Sequence, residues 1–309
     1  MTIHKWDKTN IPDLSGKVIL VTGGNIGLGY ESVKAFAEKG AEVILASRSD
    51  KRGEEAKTKI LETAPDSIIS VMKLDMADLY CIKSFSDEFK KKYDRLDVLL
   101  NNAGIMIPPY FRTKDGFEGQ MGTNHLGHFA LTGHLMDLLK RTKGARVVNV
   151  SSNAHKAGRM DFDNLLFEDG EGYKPMKAYG RSKLSNLLFT YELQRRFESD
   201  GTDAIAVAAH PGFSDTNLVR YIDKKIYYKI FSPLISLMAQ SAAMGALPQI
   251  RAAVDPGVKG GEYYGPSGRG EMKGYPVKVS SNGVSHDIET ASKLWEVSEE
   301  LTGVRILNR

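Results

Sequence analysis

Short runs of apolar, mostly β-branched residues alternate with longer amphipathic stretches along most of the chain. Six of these runs have the length and composition of buried strands: Lys17–Thr22, Glu42–Ser47, Ile68–Leu74, Val98–Asn101, Arg146–Val150 and Ala204–Ala209. The stretches between them predict helices at about residues 26–39, 51–63, 78–93, 117–140 and 178–199. Strands that are apolar throughout and alternate with helices are typical of a parallel sheet covered on both faces.

The order of these elements predicts an α/β fold of the Rossmann type, a doubly wound parallel sheet with helices on both faces. Right-handed crossovers bring the carboxyl ends of the strands to one edge, where such sheets bind their ligands. No linker-like stretch divides the chain, so we expect a single domain over residues 1–309 with an N-terminal arm over 1–16. Loops and a final helix near 287–302 are expected over 255–309, around a last strand at Glu262–Tyr264.

The composition of the chain excludes several classes of protein. With 41% hydrophobic and 26% charged residues among 309, the chain is neither disordered nor fibrous. Its 42 Lys and Arg against 38 Asp and Glu leave a net charge of +4, too small to indicate nucleic-acid binding. The sequence has no secretory signal and no clean apolar window of about 20 residues, so we expect a cytoplasmic protein without a membrane span. The single cysteine, Cys81, excludes an internal disulfide and is predicted in a helix far from the strand ends.

A glycine-rich turn, TGGNIGLG at residues 22–29, follows the first strand directly and precedes a helix. Glycine lets the backbone turn tightly and approach a pyrophosphate, whose charge the N–H groups at a helix N-terminus meet. The spacing differs from the common GxGxxG fingerprint, and an ordinary glycine-rich turn is the alternative interpretation. We predict that the cofactor-binding residues of this turn are Gly23, Asn25, Ile26, Gly27 and Gly29.

The end of the second strand indicates which nucleotide binds. NAD-binding proteins carry a carboxylate there for the ribose 2′-hydroxyl, but this chain has Ser47 and Arg48, with Lys51 one turn further on. A guanidinium group can bind a 2′-phosphate through two charge-assisted hydrogen bonds. The pattern favours NADP(H); solvated surface cations are the alternative.

Four polar residues form a candidate catalytic set. Tyr179 and Lys183 stand four apart on a predicted helix and share a face, Ser152 ends the fifth strand, and Asn124 lies in the fourth helical stretch. With the glycine-rich turn and the NNAG segment at 101–104, this set resembles the short-chain dehydrogenase/reductase family over nearly the whole chain. The segments NNAGIMIPPYFRTKDGFEGQMGTNHLGHF (101–129), VVNVSSNAHKAG (147–158) and HPGFSDTNL (210–218) are most similar to its retinol-dehydrogenase-like branch.

The resemblance implies an NADP(H)-dependent oxidoreductase that interconverts a carbonyl and an alcohol. Tyr179 is then the general acid or base, and the cation of Lys183 is expected to bring the tyrosine pKa closer to working pH. Lys183 also binds the nicotinamide ribose. Ser152, rather than Ser151, donates a hydrogen bond to the substrate oxygen, and Asn124 positions a water molecule of a proton relay.

The same resemblance implies further contacts with the dinucleotide. Asp75, at the end of the third strand, is expected to bond the adenine amino group, with Met76 beside it. Residues after the fourth strand are expected to line the central part of the cofactor, and residues after the sixth strand to contact the carboxamide: Asn102, Ala103, Gly104, Pro211, Gly212 and Thr216.

Residues 213–250 are apolar and aromatic over much of their length and follow the expected carboxamide contact. Lys224, Lys225, Lys229 and Pro233 interrupt the pattern, which favours a mobile substrate lid over the alternative of a core or subunit helix. A lid of this composition favours a hydrophobic carbonyl or alcohol as substrate.

Two other hypotheses accompany this interpretation. His125 and His128 share a helix face with His134 nearby, but no carboxylate or cysteine completes a ligand set, so no metal is expected. The alternative function is a non-catalytic NADPH sensor of the same fold, which the presence of all four catalytic residues disfavours. Family members often form dimers or tetramers, so the resemblance is compatible with a homo-oligomer.

Overall fold

The computed structural model describes residues 5–214 and 240–307. In these ranges eight strands form one sheet in the order β3-β2-β1-β4-β5-β6-β7-β8. Their bounds are β1 Val18–Thr22, β2 Glu42–Ser47, β3 Ile68–Lys73, β4 Val98–Asn101, β5 Arg146–Val150, β6 Ile205–Ala209, β7 Tyr263–Pro266 and β8 Pro276–Val279. All neighbouring strands are parallel except β7 and β8, which are antiparallel.

Helices connect the strands. They are α1 Gly27–Ala37, α2 Asp50–Leu61, α3 Leu79–Lys92, α4 Gly119–Met121, α5 Gly127–His134, α6 Met136–Arg141, α7 Pro175–Asp200, α8 Ala242–Val254 and α9 Ile288–Thr302. A π-helical turn, Gly122–Leu126, joins α4 to α5. Short 3₁₀ turns span Lys8–Asn10, Asn153–Ala157, Glu168–Gly170, Arg269–Glu271 and Gly283–His286.

Alternating side chains of each central strand build two hydrophobic layers. On β1, Ile19 and Val21 face a layer that includes residues of α1, α2 and α8. Val18 and Leu20 face the opposite layer, which includes residues of α3, α5 and α7. Because both faces are covered, the strands are apolar throughout. The doubly wound, mostly parallel sheet predicted from the sequence is therefore confirmed.

Local sequence signals set the ends of several helices. Ser49 and Asp78 cap α2 and α3 by accepting hydrogen bonds from backbone N–H groups of the first turn. Pro175 opens α7, where its missing N–H costs no helical hydrogen bond. Gly201 ends α7 with a φ of 68°, in the left-handed region that glycine adopts readily.

The end of the sheet differs from the prediction. The last predicted strand, Glu262–Tyr264, is observed as β7 at Tyr263–Pro266, and β8 was not predicted. β8 has four residues and begins with Pro276, whose ring removes a backbone donor and weakens the sequence pattern of a strand. Its position at the sheet edge allows a proline there.

The predicted continuous helix over 117–140 is wrong in detail. It is divided into α4, the π-helical turn, α5 and α6, and Leu135 separates the last two with a ψ of 6°. Glycines at positions 119, 122 and 127 lie within or beside the irregular part. The amphipathic period alone does not reveal such a change of helical type.

The predicted lid is too long at its C-terminal end. Residues 242–250 belong to α8, which packs against α1 in the core. Ala246 and Ile250 are fully buried there. The interrupting residues Lys224 to Pro233 on which the lid was based lie outside the described residues. Within the described residues, no helix is long and apolar enough to cross a membrane.

The assignment of α8 to the core can be tested with a buried charge. Ala246→Asp places an unpaired carboxylate at a position with 0% exposure, so we expect it to lower the free energy of unfolding by about 3 kcal/mol or more. The measurement is urea unfolding followed by circular dichroism. Ala243→Asp is the matched control, since it lies half-buried in the first turn of α8, where a carboxylate is favoured. Equal unfolding free energies for the two variants would contradict the assignment of α8 to the core.

Candidate active site

The glycine-rich turn between β1 and α1 leaves room for a ligand. A Cβ atom at Gly29 would lie 2.3 Å from the carbonyl oxygen of Gly23 and 2.6 Å from Asn102 Nδ2, so only glycine fits there. No side chain caps the N-terminus of α1, because its N-cap residue is Ile26. The first N–H groups of α1 therefore remain available for an anion such as a phosphate.

The hydroxyl of Thr22 joins this turn to the end of β4. Its Oγ1 accepts hydrogen bonds from the backbone N–H groups of Asn102 and Ala103, each at 2.9 Å. The Asn102 amide donates in return to the Thr22 carbonyl oxygen at 2.7 Å. Since β1 and β4 flank the point where the strand order reverses, these bonds shape the crevice in which doubly wound sheets bind ligands.

A cleft runs along this edge of the sheet. About 1340 Å³ of space lies within this cleft and its open mouth. Fifteen of the predicted cofactor residues line it: Gly23, Asn25, Ile26, Gly27, Gly29, Ser47, Arg48, Asp75, Met76, Asn102, Ala103, Gly104, Tyr179, Lys183 and Pro211.

Tyr179 and Lys183 lie at one end of the cleft on the same face of α7. The Lys183 ammonium nitrogen is 5.8 Å from the centre of the Tyr179 ring and donates a hydrogen bond to the carbonyl oxygen of Val150 at 3.0 Å. Only 4% of Lys183 is exposed. Burial disfavours the ammonium ion and lowers the pKa of Lys183 to about 8.

Burial acts in the opposite direction on Tyr179. It disfavours the phenolate and raises the pKa of Tyr179 to about 12, and a hydrogen bond with Ser152 offsets only part of this rise. Lys183 is not among the causes of this shift, so the expectation that it brings the tyrosine pKa closer to working pH stays a prediction. The phenol holds its proton at neutral pH, as a proton donor must.

Ser152 follows β5 and is held by its own turn. Its Oγ accepts a hydrogen bond from the Ala154 N–H at 3.1 Å, which leaves the hydroxyl hydrogen for another acceptor. The Nδ1 atom of His155 donates to the Ser152 carbonyl oxygen at 2.6 Å. Ser151 lines the cleft, but its hydroxyl donates to the Lys183 carbonyl oxygen in the core, whereas Ser152 is hydrogen-bonded with Tyr179. The choice of Ser152 over Ser151 stays a prediction.

Asn124 lies in the π-helical turn, directly behind the cleft. Its side chain exchanges hydrogen bonds with the backbone of Ile105, at 2.8 and 3.0 Å, and donates to Ser182 Oγ at 3.0 Å. Single π-helical turns often mark functional sites. Here the turn places Asn124 between the loop after β4 and the helix that carries Lys183.

Comparison with known proteins decides the family. A family model described as short chain dehydrogenase matches residues 17–165. Human retinol dehydrogenase 12 is 38% identical over 301 residues, which cover 96% of this chain and 90% of that protein. The chain belongs to the short-chain dehydrogenase/reductase family. It is therefore an oxidoreductase of the retinol-dehydrogenase-like kind, as its sequence indicated.

Solved structures agree with this assignment. The crystal structure of an uncharacterized protein from Mycobacterium paratuberculosis has a TM-score of 0.81 and 37% sequence identity to this dehydrogenase/reductase, covering 99% of this chain and 100% of that one. The Pseudomonas aeruginosa RhlG/NADP active-site complex has a TM-score of 0.65 at 21% identity, covering 81% and 94% of the two chains. That second likeness shows the fold alone.

One predicted cation does not reach the cleft of this dehydrogenase/reductase. Lys51 is exposed and is not among the residues that line the cleft, whereas Arg52 lines it together with Arg48 and Ser49. The reason is the start of α2, because Ser49 is its N-cap and this sets which first-turn residue faces the cleft. Locating that cap in the sequence would have pointed to Arg52.

Cys81 is nearer to the site than predicted. It lies in the first turn of α3, and its Sγ accepts a hydrogen bond from the backbone N–H of Asp75 at 3.3 Å. The prediction that Cys81 lies far from the strand ends is wrong, because α3 begins only six residues after β3 ends. Asp75 itself accepts a hydrogen bond from the Ala77 N–H at 3.1 Å.

The residues after β6 are only partly described. Pro211 lines the cleft, and its carbonyl oxygen accepts hydrogen bonds from Ser214 and Gln240, each at 2.8 Å. Gly212 has a φ of 65° and faces away from the cleft lining, with the Met272 carbonyl oxygen 2.4 Å from where its Cβ would stand. Thr216 lies outside the described residues.

The histidines of the fourth helical stretch have structural partners. His128 Nδ1 donates to the Asn124 carbonyl oxygen and Nε2 accepts from Thr22 Oγ1, both at 3.0 Å. His125 Nε2 contacts Ser298 Oγ at 3.0 Å. Burial lowers the pKa of His125 to about 3 and that of His128 to about 4, so both rings are neutral. In the described ranges, no group of three or more His, Cys, Asp or Glu has metal-binding geometry.

The low pKa of Lys183 predicts a pH-dependent stability. In the unfolded state Lys183 keeps its proton up to its ordinary pKa of 10.5, but in the folded state only up to about 8. The buried ammonium therefore lowers the stability of the folded state below pH 8, and this loss of stability disappears between pH 8 and 10.5. Lys183→Met removes this loss of stability. From pH 7 to 9.5 we therefore expect the stability of the wild type to rise relative to Lys183→Met by about 1–2 kcal/mol.

Urea unfolding of both proteins without ligand at the two pH values makes this measurement. The difference in unfolding free energy between the two proteins cancels the contributions of all other titrating groups. A difference that is the same at both pH values would show that Lys183 titrates at its ordinary pKa and is accessible to water.

Proposed function

We propose that this protein is an NADP(H)-dependent oxidoreductase that interconverts an aldehyde or ketone and an alcohol on a hydrophobic small molecule. The observation that carries the proposal is that Tyr179 and Lys183 line the same cleft as the glycine-rich turn, with Ser152 in hydrogen-bond contact with Tyr179. The bound dinucleotide supplies or accepts the hydride. The chain supplies the proton and the hydrogen bonds around the reacting oxygen.

Tyr179 is proposed as the general acid in carbonyl reduction and as the base in the reverse reaction. The pKa near 12 keeps its proton in place until a substrate oxygen gains negative charge. The Ser152 hydroxyl, held by the Ala154 N–H, is proposed to donate a hydrogen bond to the same oxygen. Lys183 binds the nicotinamide ribose, and Asn124 positions the relay water.

Two guanidinium groups support NADP(H) over NAD(H). Arg48 and Arg52 line the end of the cleft beside Ser47, and neither has an ion-pair partner among the described residues. Asp75 is the one acidic residue among those described as lining the cleft. Two unpaired cations without a carboxylate at the end of β2 favour a 2′-phosphate there.

The hydrophobic substrate is supported by the composition of the cleft near the catalytic residues. Ile105, Met106 and Val150 line the cleft together with Tyr179. The curated relatives are retinol dehydrogenases by name, and retinol is a hydrophobic alcohol. A cytoplasmic location and a homo-oligomer remain predictions.

Replacing the phenol tests the chemistry. Tyr179→Phe keeps the ring and removes the transferable proton, so we expect turnover of a hydrophobic aldehyde with NADPH to fall by roughly 100-fold or more, with NADPH affinity retained. Tyr191→Phe is the matched control, since it removes another buried hydroxyl from α7 that contacts Ser281 instead. Wild-type turnover by Tyr179→Phe would contradict the mechanism, and absence of turnover by the wild type with any carbonyl would favour the NADPH sensor.

Replacing the cations tests the choice of cofactor. Arg48→Ala and Arg52→Ala each remove charged hydrogen bonds to a 2′-phosphate, so we expect each to weaken NADPH binding by about 1.5–3 kcal/mol, roughly 10- to 150-fold. NADH affinity is expected to change little. Lys51→Ala, an exposed cation outside the cleft lining, is the control that keeps both affinities. Calorimetric titration measures the constants, and equal losses for NADPH and NADH would refute the proposed phosphate site.

A further inference from the structure

The carbonyl oxygen of Val150 has two side-chain donors. Lys183 Nζ lies 3.0 Å from it and Asn186 Nδ2 lies 3.1 Å from it. Lys183 and Asn186 are three residues apart on α7 and therefore share a face of the helix. Both side chains are 4% exposed, so water does not compete for this acceptor.

The sheet leaves this carbonyl without a backbone partner. The N–H of the same peptide group, that of Ser151, donates to the Ala209 carbonyl oxygen on β6 at 2.8 Å. Because the N–H and C=O of a trans peptide point in opposite directions, the Val150 carbonyl points to the β4 side. β4 has already ended there at Asn101. Without a side-chain donor this buried carbonyl would be unsatisfied.

Lys183 has a second task under the proposed function, which is to bind the ribose of the cofactor. It lines the cleft, and its Nζ is 3.6 Å from where a Cβ of Gly104 would stand. If Lys183 were the sole donor to Val150, turning toward the ribose would leave a buried acceptor without a partner. An unsatisfied buried carbonyl is costly, so the cofactor would bind more weakly.

We propose that Asn186 is a positioning residue that keeps the Val150 carbonyl hydrogen-bonded while Lys183 turns from that carbonyl to the nicotinamide ribose. This inference rests on the proposed function. Asn186 touches neither substrate nor cofactor and acts through Lys183. In its absence Lys183 is the one remaining side-chain donor to Val150 among the described residues, so a turn of the ammonium toward the ribose leaves that carbonyl without a hydrogen bond.

The test compares two ligands that differ in their need for Lys183. NADPH contains the nicotinamide ribose, whereas adenosine 2′,5′-bisphosphate contains only the end that faces Arg48 and Arg52. For Asn186→Leu we expect the NADPH dissociation constant to rise by roughly tenfold, the cost of one unsatisfied buried acceptor. The dissociation constant of adenosine 2′,5′-bisphosphate is expected to change by less than about twofold. A general disturbance of the fold would instead weaken the binding of both ligands.

Ser185→Ala is the matched control, because it removes a neighbouring buried hydroxyl that bonds within its own helix to the Arg181 carbonyl oxygen. It is expected to change neither affinity. Asn186→Ala serves as the second variant should Asn186→Leu fail to fold. It is smaller, it carries no group that can donate to Val150, and it is expected to show the same selective loss of NADPH binding.

Two results would overturn the role of Asn186 alone: unchanged NADPH affinity in both variants, or equal losses for the two ligands. Failure of the wild type to bind either ligand would overturn the proposed function together with this inference. The two kinds of failure are therefore distinguished by the wild-type titration.

Discussion

The parallel pairing of β1, β4, β5 and β6 is the constraint on which the site depends. It brings the carboxyl ends of these strands to one edge, where the chain leaves the sheet and its backbone groups lose their ladder partners. Side chains from other segments replace those partners. Thr22 accepts from the N–H groups after β4, and Lys183 and Asn186 donate to the carbonyl that ends β5. Three of the residues in these hydrogen bonds, Asn102, Ala103 and Lys183, also line the cleft.

Burial shifts the pKa values of Tyr179 and Lys183 in opposite directions. The same low-polarity surroundings raise the pKa of Tyr179 to about 12 and lower that of Lys183 to about 8. Both shifts oppose charge, which is costly in the interior. The neutral phenol of Tyr179 is therefore favoured, and the ammonium of Lys183 is disfavoured, by the same buried surroundings.

Sequence reasoning was most accurate where one local pattern decides the outcome. The glycine-rich turn, the ends of β2 and β5 and the pairing of Tyr179 with Lys183 follow from periodicity and position along the chain. It was wrong where the local structure depends on tertiary packing. The π-helical turn at Asn124, the choice of Arg52 over Lys51 and the proximity of Cys81 to Asp75 depend on the starts and internal geometry of helices, which the hydrophobic period does not specify. The core position of α8 depends on its contact with α1 on the same face of the sheet.

The central claim is that the cleft holds NADP(H) with its reactive carbon facing Tyr179. Its most direct test is to incubate the protein with a hydrophobic aldehyde such as retinal and with NADPH deuterated at nicotinamide C4, using each of the two C4 stereoisomers in turn, and to analyse the alcohol by mass spectrometry. We expect one stereoisomer to give an alcohol with a single deuterium on the former carbonyl carbon. Formation of alcohol without deuterium from both stereoisomers, or no alcohol from any hydrophobic carbonyl, would contradict the account.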